Sequence, residues 1–62
     1  MSKMNPADDL KHRLIRATEF TSRAFTQEAA GADVTALQTL VDAAAREISA
    51  AQADLAIMRA SR

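Results

Sequence analysis

The chain has no cysteine, no tryptophan and no tyrosine. Without cysteine it can form neither a disulfide nor a thiolate-based metal site. A domain of 62 residues leaves much of its surface in water and is only marginally stable without such a cross-link. Self-association, or docking on a larger protein, is the remaining common way to stabilise so small a fold.

The chain also lacks an excess of charge of either sign and a long apolar run. Eight basic and eight acidic residues cancel to a net charge of zero, so no overall field draws the chain to nucleic acid or to an anionic membrane. No run approaches the roughly 20 apolar residues that cross a bilayer, and the first residues lack the apolar core of a signal peptide. We therefore expect a cytoplasmic protein that does not bind membranes.

Residues that favour turns and strands are scarce. The chain contains one glycine, one proline and two phenylalanines as its only aromatic residues, whereas alanine is abundant. Alanine is the strongest helix former, and strands are normally enriched in aromatic and β-branched residues. The composition therefore predicts an all-α protein.

The first helix has a clear start in the sequence. Asn5 can cap the first free amides of a helix, and Pro6 fits the first helical position because no hydrogen bond is lost there. Asp8 and Asp9 follow in the first turn, where the helix dipole favours carboxylates. The pattern predicts a helix over residues 6–30.

The apolar pattern of this helix stops at the only glycine. Gly31 can adopt the left-handed conformation that closes a helix, and Asp33 can cap the next one. We predict a turn at residues 31–33, a second helix over residues 34–60, and a single hairpin domain over residues 1–62. The alternative is one bent helix of about fifty residues, since a lone glycine costs a helix only about 1 kcal/mol.

The second helix carries the most regular apolar pattern, with spacings of three and four as in a coiled coil. This line consists of Val34, Leu37, Val41, Ala44, Ile48, Ala51, Leu55 and Met58. The first helix has a matching line of Leu10, Leu14, Ala17, Thr21 and Ala24. Antiparallel layers then pair Leu10 with Leu55, Leu14 with Ala51, Ala17 with Ile48 and Ala24 with Val41. Because large residues repeatedly oppose small ones, the sequence predicts a closely packed, coiled-coil-like antiparallel hairpin.

Other apolar residues lie off this line and remain uncovered in a two-helix structure. We predict that the hairpin is completed either as a dimeric four-helix bundle or by docking on a larger protein. The predicted protein-interface residues are Phe20, Phe25, Leu40 and Ile57. The corresponding function is that of a small non-enzymatic interaction or assembly protein, such as a regulator, a subunit of a complex or a phage-encoded inhibitor.

The sequence offers no set of residues suited to catalysis. His12 is the only histidine, and its only evident partner is Asp8 one turn earlier. Two ligands do not make a metal site, and a thin hairpin offers no concave pocket. We expect no enzymatic activity, no metal, no cofactor and no small-molecule substrate.

A basic stripe on the first helix supports an alternative function. Arginines contact phosphates and an exposed phenylalanine can contact a base. The stripe consists of His12, Arg13, Arg16, Phe20 and Arg23, and Glu19 interrupts it. In length and architecture this layout resembles the small dimeric helical-hairpin RNA-binding proteins that control plasmid copy number, although no sequence motif is shared. The alternative prediction is a dimeric regulator that binds RNA or DNA. A solvated charged face would account for the same residues.

Overall fold

The computed structural model describes residues 5–61 and contains two packed α-helices. Helix α1 spans Pro6–Ala29 and helix α2 spans Val34–Ala60. No strand occurs within the described range, and the molecule measures 45 × 21 × 15 Å. The prediction of an all-α structure with two helices packed together is confirmed, and the single bent helix is wrong. Helix α1 ends one residue earlier than predicted.

The start of α1 has the chemistry that its sequence predicts. Asn5 has an extended backbone (φ −84°, ψ 129°), and its Oδ1 accepts a hydrogen bond of 2.9 Å from the backbone N–H of Ala7. Pro6 follows at the first helical position, and Asp8 and Asp9 lie in the first turn. The cap, the proline and the two carboxylates therefore act together to define where α1 begins.

The connection between the helices is a glycine-closed turn. Gly31 has a φ of 86°, in the left-handed region that favours glycine. Its N–H donates to the Glu28 carbonyl, and the Ala32 N–H donates to the Gln27 carbonyl. This pair of bonds is the Schellman arrangement that satisfies the last carbonyls of a helix. Asp33 then caps α2, because its Oδ1 accepts a 2.9 Å hydrogen bond from the Ala36 N–H.

The contact between the helices, which we call the seam, is built from small side chains. The most buried residues of the described range are Ala17, Ala44, Ala51 and Asp54. No large side chain in that range is fully buried. The hairpin therefore has close contact between its helices but no core of large aliphatic residues.

The predicted apolar line of α2 is only half correct. Leu37, Ala44, Ala51 and Met58 are half-buried or buried, as expected. The other half of the line is exposed: Val34 by 78%, Val41 by 52%, Ile48 by 43% and Leu55 by 42%. On α1, Leu14 and Thr21 are likewise exposed.

This difference is a rotation of the helices about their own axes. The flank of α2 that carries Leu40, Glu47 and Asp54 faces α1 in place of the predicted valines, isoleucine and leucine. The physical reason is charge, since Arg13 of α1 lies within ion-pair distance of both Glu47 and Asp54. Along the length of the hairpin, Arg13 lies between these two acids. This position agrees with the predicted antiparallel layer that pairs Leu14 with Ala51.

Candidate protein-interaction surface

The most distinctive exposed feature is a row of aliphatic side chains on α2. We call it the apolar row, and it consists of Val34, Val41, Ile48 and Leu55. Successive members are seven residues apart, which is close to two helical turns, so all four lie on one side of α2. The row extends over about 32 Å at 1.5 Å per residue and carries no charge.

Helix α1 contributes an apolar groove to the same face of the hairpin. An open groove of about 490 Å³ is lined by Ala7, Leu10, Lys11, Leu14, Ile15, Thr18 and Glu19. Leu14 follows Leu10 by four residues, just as Val41 follows Leu37. Two antiparallel helices are related by an approximate two-fold axis that is perpendicular to the broad side of the hairpin. Residues at equivalent positions of the two helices, such as Leu14 and Val41, therefore lie on the same face. The apolar row and the groove together form what we call the apolar face.

We call the half-buried or buried residues Leu37, Ala44, Ala51 and Met58 of α2 the alanine line. A charged cluster lies within the seam, on the side of this line opposite the apolar row. Arg13 Nη1 lies 3.6 Å from Glu47 Oε1, and Arg13 Nε lies 3.3 Å from Asp54 Oδ2. Arg16 Nη1 lies 3.9 Å from Glu47 Oε2. The Asp54 side chain is 9% exposed and that of Glu47 is 18% exposed. Two carboxylates thus enter the seam and are compensated mainly by Arg13.

The contacts of this cluster are ion pairs rather than hydrogen bonds. Arg13 Nε, Glu47 Oε1 and Asp54 Oδ2 are buried atoms without a hydrogen-bond partner. A half-buried charge without hydrogen bonds keeps much of its desolvation cost. We therefore assign the cluster a role in selecting which flanks of the helices meet, more than in stabilising the fold.

Sequence reasoning missed this cluster, although a signal for it exists. Leu40, Glu47 and Asp54 are spaced by seven residues and run beside the alanine line. In the antiparallel register, Arg13 lies level with the two acids. A pair of acids at this spacing, opposite an arginine on the partner helix, is the pattern that would have identified the charged flank.

The predicted protein-interface residues do not lie on one surface. Phe25 is 76% exposed and Ile57 is 51% exposed. Phe20 and Leu40 are half-buried. Phe20 is seven residues from Arg13 and Leu40 is seven residues from Glu47, so both lie along the lines where the helices meet. Their part in binding another protein stays a prediction.

The predicted basic stripe is divided in a similar way. Arg13 and Arg16 lie beside acidic side chains of α2, so their charges are partly compensated. His12 and Arg23 are exposed, and Phe20 is half-buried. Nucleic-acid contact by these residues stays a prediction, with less free positive charge available for it than the sequence implied.

Two further properties bear on function. Between residues 5 and 61, no three acidic, histidine or cysteine side chains come together as a metal-binding group. Neither described helix has the length and apolarity needed to cross a membrane.

A scan against protein-family models, a search of curated proteins and a search of solved structures found no match to this chain. Its function must be inferred from the surface of the hairpin itself.

Proposed function

We propose that this chain is a small non-enzymatic interaction protein that binds a protein surface through its apolar face. The observation that carries this proposal is the distribution of side chains in the described range. Alanines occupy the seam, whereas four large aliphatic residues of α2 stand exposed in a row. Burying one such side chain is worth about 1.5–3 kcal/mol, so a complementary surface would gain several of these contributions at once.

The exposed area supports the same proposal. The chain exposes 4919 Å². A compact monomer of its mass, 6.7 kDa, is expected to expose about 3,900 Å². Soluble monomers rarely expose contiguous apolar patches larger than a few hundred Å² unless the patch binds something. The excess of about 1,000 Å² counts polar and apolar surface of an elongated hairpin together, and it is comparable with the roughly 800 Å² that one partner buries in a standard interface.

The nucleic-acid alternative has weaker support. Phosphate binding depends on uncompensated arginine and lysine side chains. Arg13 and Arg16 both lie beside Glu47, and Arg13 also lies beside Asp54. A regulator, a complex subunit and an inhibitor would all use the apolar face instead.

A matched pair of substitutions tests the proposal. Ile48→Ser changes the apolar row, whereas Ile57→Ser changes an isoleucine of similar exposure on the other flank of the same helix. Immobilised wild type and both variants are incubated with lysate of the source cells and with untagged copies of the chain itself, and the retained proteins are quantified. We expect Ile48→Ser to lose the retained protein and Ile57→Ser to keep it.

Equal retention by all three forms would overturn the proposal. Loss by Ile57→Ser alone would move the interface to the opposite flank. The nucleic-acid alternative is tested separately by fluorescence anisotropy with labelled single-stranded RNA and duplex DNA at low salt. Equal, weak binding by wild type and Arg16→Glu would exclude that alternative.

A further inference from the structure

We infer that the partner of the apolar face is a second copy of this chain, and that two hairpins form a four-helix bundle with both turns at the same end. This inference rests on the proposed function, that the apolar face binds protein, and adds the identity and orientation of the partner. Three properties of the hairpin support it: the area of the face, its charge and its shape.

The area agrees with a single additional copy. A stable protein–protein interface buries about 800 Å² on each partner. The broad side of the hairpin measures 45 × 21 Å, and the chain exposes about 1,000 Å² more than a compact protein of its mass. One equal surface is sufficient to cover the broad side of the hairpin.

Charge also permits self-association. Two copies with a net charge of zero approach each other without overall repulsion. The apolar row contains no ionisable residue, and the ion-pair cluster lies on the other flank of α2. Pairing two apolar faces therefore leaves the charged cluster outside the new contact. The groove lining contributes one charge of each sign, Lys11 and Glu19, to the contact.

Shape selects the orientation of the two copies. A symmetric dimer interface must be complementary to itself. The apolar face meets this requirement because it has a ridge on α2, the apolar row, and a groove on α1. If the two-fold axis runs parallel to the helices, α1 of each copy packs against α2 of the other and the ridge enters the groove. If the two-fold axis is perpendicular to the helices and lies in the interface, α2 of each copy packs against α2 of the other. The ridge of one copy then meets the ridge of the other and does not enter the groove.

The heights of ridge and groove agree with the parallel axis. Arg13 lies between Glu47 and Asp54 in height, so the groove is level with Ile48 and Leu55 of its own chain. A parallel two-fold axis preserves height, so it places these two residues of the second copy opposite the groove. The predicted layer of Leu10 with Leu55 then forms between copies, because Leu10 lines the groove.

Sedimentation equilibrium of the full chain over a wide concentration range tests for the second copy. We expect a dimer for wild type and for Ile57→Asp. For Ile48→Asp we expect the dimer Kd to rise by about 100-fold or more, because the interface would bury two uncompensated carboxylates. Circular dichroism of the same samples reports whether each variant remains helical. The wild-type result decides the inference even if Ile48→Asp does not fold.

Orientation is tested with a spin label at the turn. Because the chain has no cysteine, Ala32→Cys provides a single attachment site per copy. Turns at the same end place the two labels within about 10–30 Å, given helix spacings of 8–10 Å and the length of the label. Turns at opposite ends separate them by roughly the 45 Å length of the hairpin. A pulsed dipolar distance near the longer value would overturn the same-end arrangement.

The outcomes separate this inference from the proposed function. A monomer at every concentration that binds the dye anilinonaphthalene sulfonate, and loses this binding in Ile48→Asp, would overturn the second copy but support an interaction surface for a different protein. A monomer that unfolds cooperatively, binds no dye and is unchanged by Ile48→Asp would overturn both. A dimer disrupted by Ile57→Asp alone would also overturn the inference.

Discussion

The two flanks of α2 share the alanine line between them and differ in almost every other property. One flank carries Leu40, Glu47 and Asp54 and faces α1. The other flank is the apolar row and faces away from α1. The more apolar side of the helix therefore lies outside the hairpin. A helix that carries apolar residues both in its contact with one neighbour and beside that contact is typical of bundles, in which each helix contacts more than one neighbour.

The two flanks have different physical roles. Half-buried ion pairs contribute little net stability, because desolvation offsets most of their attraction, but they disfavour arrangements that leave a charge unpaired. The charged flank thus selects how α1 and α2 meet. The apolar row supplies hydrophobic free energy, but only when another surface covers it. The charged flank therefore orients the helices, and the apolar row stabilises the fold once the proposed second copy covers it.

The largest expected effect comes from shortening a member of the apolar row. If the row is buried in an assembly, Ile48→Ala will lower the free energy of unfolding by about 2–4 kcal/mol per chain, as for a core residue. If the chain instead remains a single hairpin, in which Ile48 is 43% exposed, the same substitution will lower the free energy of unfolding by less than about 1 kcal/mol. Urea unfolding at high protein concentration measures the difference.

Ile57→Ala is the matched control for this experiment. Ile57 is similarly exposed and lies on the other flank, so we expect a loss below about 1 kcal/mol. Equal losses for the two variants would remove the distinction between the flanks.

The second prediction concerns the seam. Ala51 is only 4% exposed, so Ala51→Leu would push the helices apart and lower the free energy of unfolding by about 1–3 kcal/mol. Ala56→Leu, on the exposed side of α2, should have little effect. Thermal unfolding followed by circular dichroism compares the two variants. A stabilising Ala51→Leu would indicate that the seam is loose and that the helices can rotate to bury the apolar row.

The sequence predicts the local features of this fold better than its helix orientation. Asn5, Gly31 and Asp33 define the helix ends through bonds to residues within five positions, so their chemistry is readable locally. The line of Leu37, Ala44, Ala51 and Met58, in contrast, has an apolar flank on one side and a charged flank on the other. Which flank meets α1 depends on Arg13, more than thirty residues distant from its acidic partners.

The sequence does not predict the apolar face as an exposed site, for a related reason. Periodicity identifies residues that are suited to burial, but it does not identify the neighbour that covers them. Periodicity alone therefore predicts the apolar row in the contact between α1 and α2. The sequence assigns Phe20 and Leu40 to an external partner; both are half-buried along the seam, and their part in binding stays a prediction.

The charged flank yields the third prediction. Arg13→Met leaves Glu47 and Asp54 facing the seam without their principal cation, and should lower the free energy of unfolding by about 1–2 kcal/mol. Adding Glu47→Gln and Asp54→Asn should recover most of the loss, because no unpaired charge then remains. Denaturant unfolding of wild type, Arg13→Met, the Glu47→Gln/Asp54→Asn variant and the combined triple variant gives the coupling energy. Arg23→Met, on the exposed surface, serves as the control. If the two arginine variants behave alike, the cluster does not select the seam.

The smallest expected effect is at the turn, which belongs to neither flank. Gly31 has a φ of 86°, and a Cβ added there would meet no atom within 4 Å. Gly31→Ala should therefore cost about 1–2 kcal/mol through backbone strain alone, and Gly31→Asn should cost less, because asparagine tolerates the left-handed region. Denaturant unfolding measures this cost, and sedimentation equilibrium measures the dimer Kd of the same variants. We expect the Kd to stay within about twofold of wild type, because strain at the turn is equal in the free and the assembled hairpin. A large change in Kd would mean that the turn adjusts when two copies meet, and that the apolar face is not preformed.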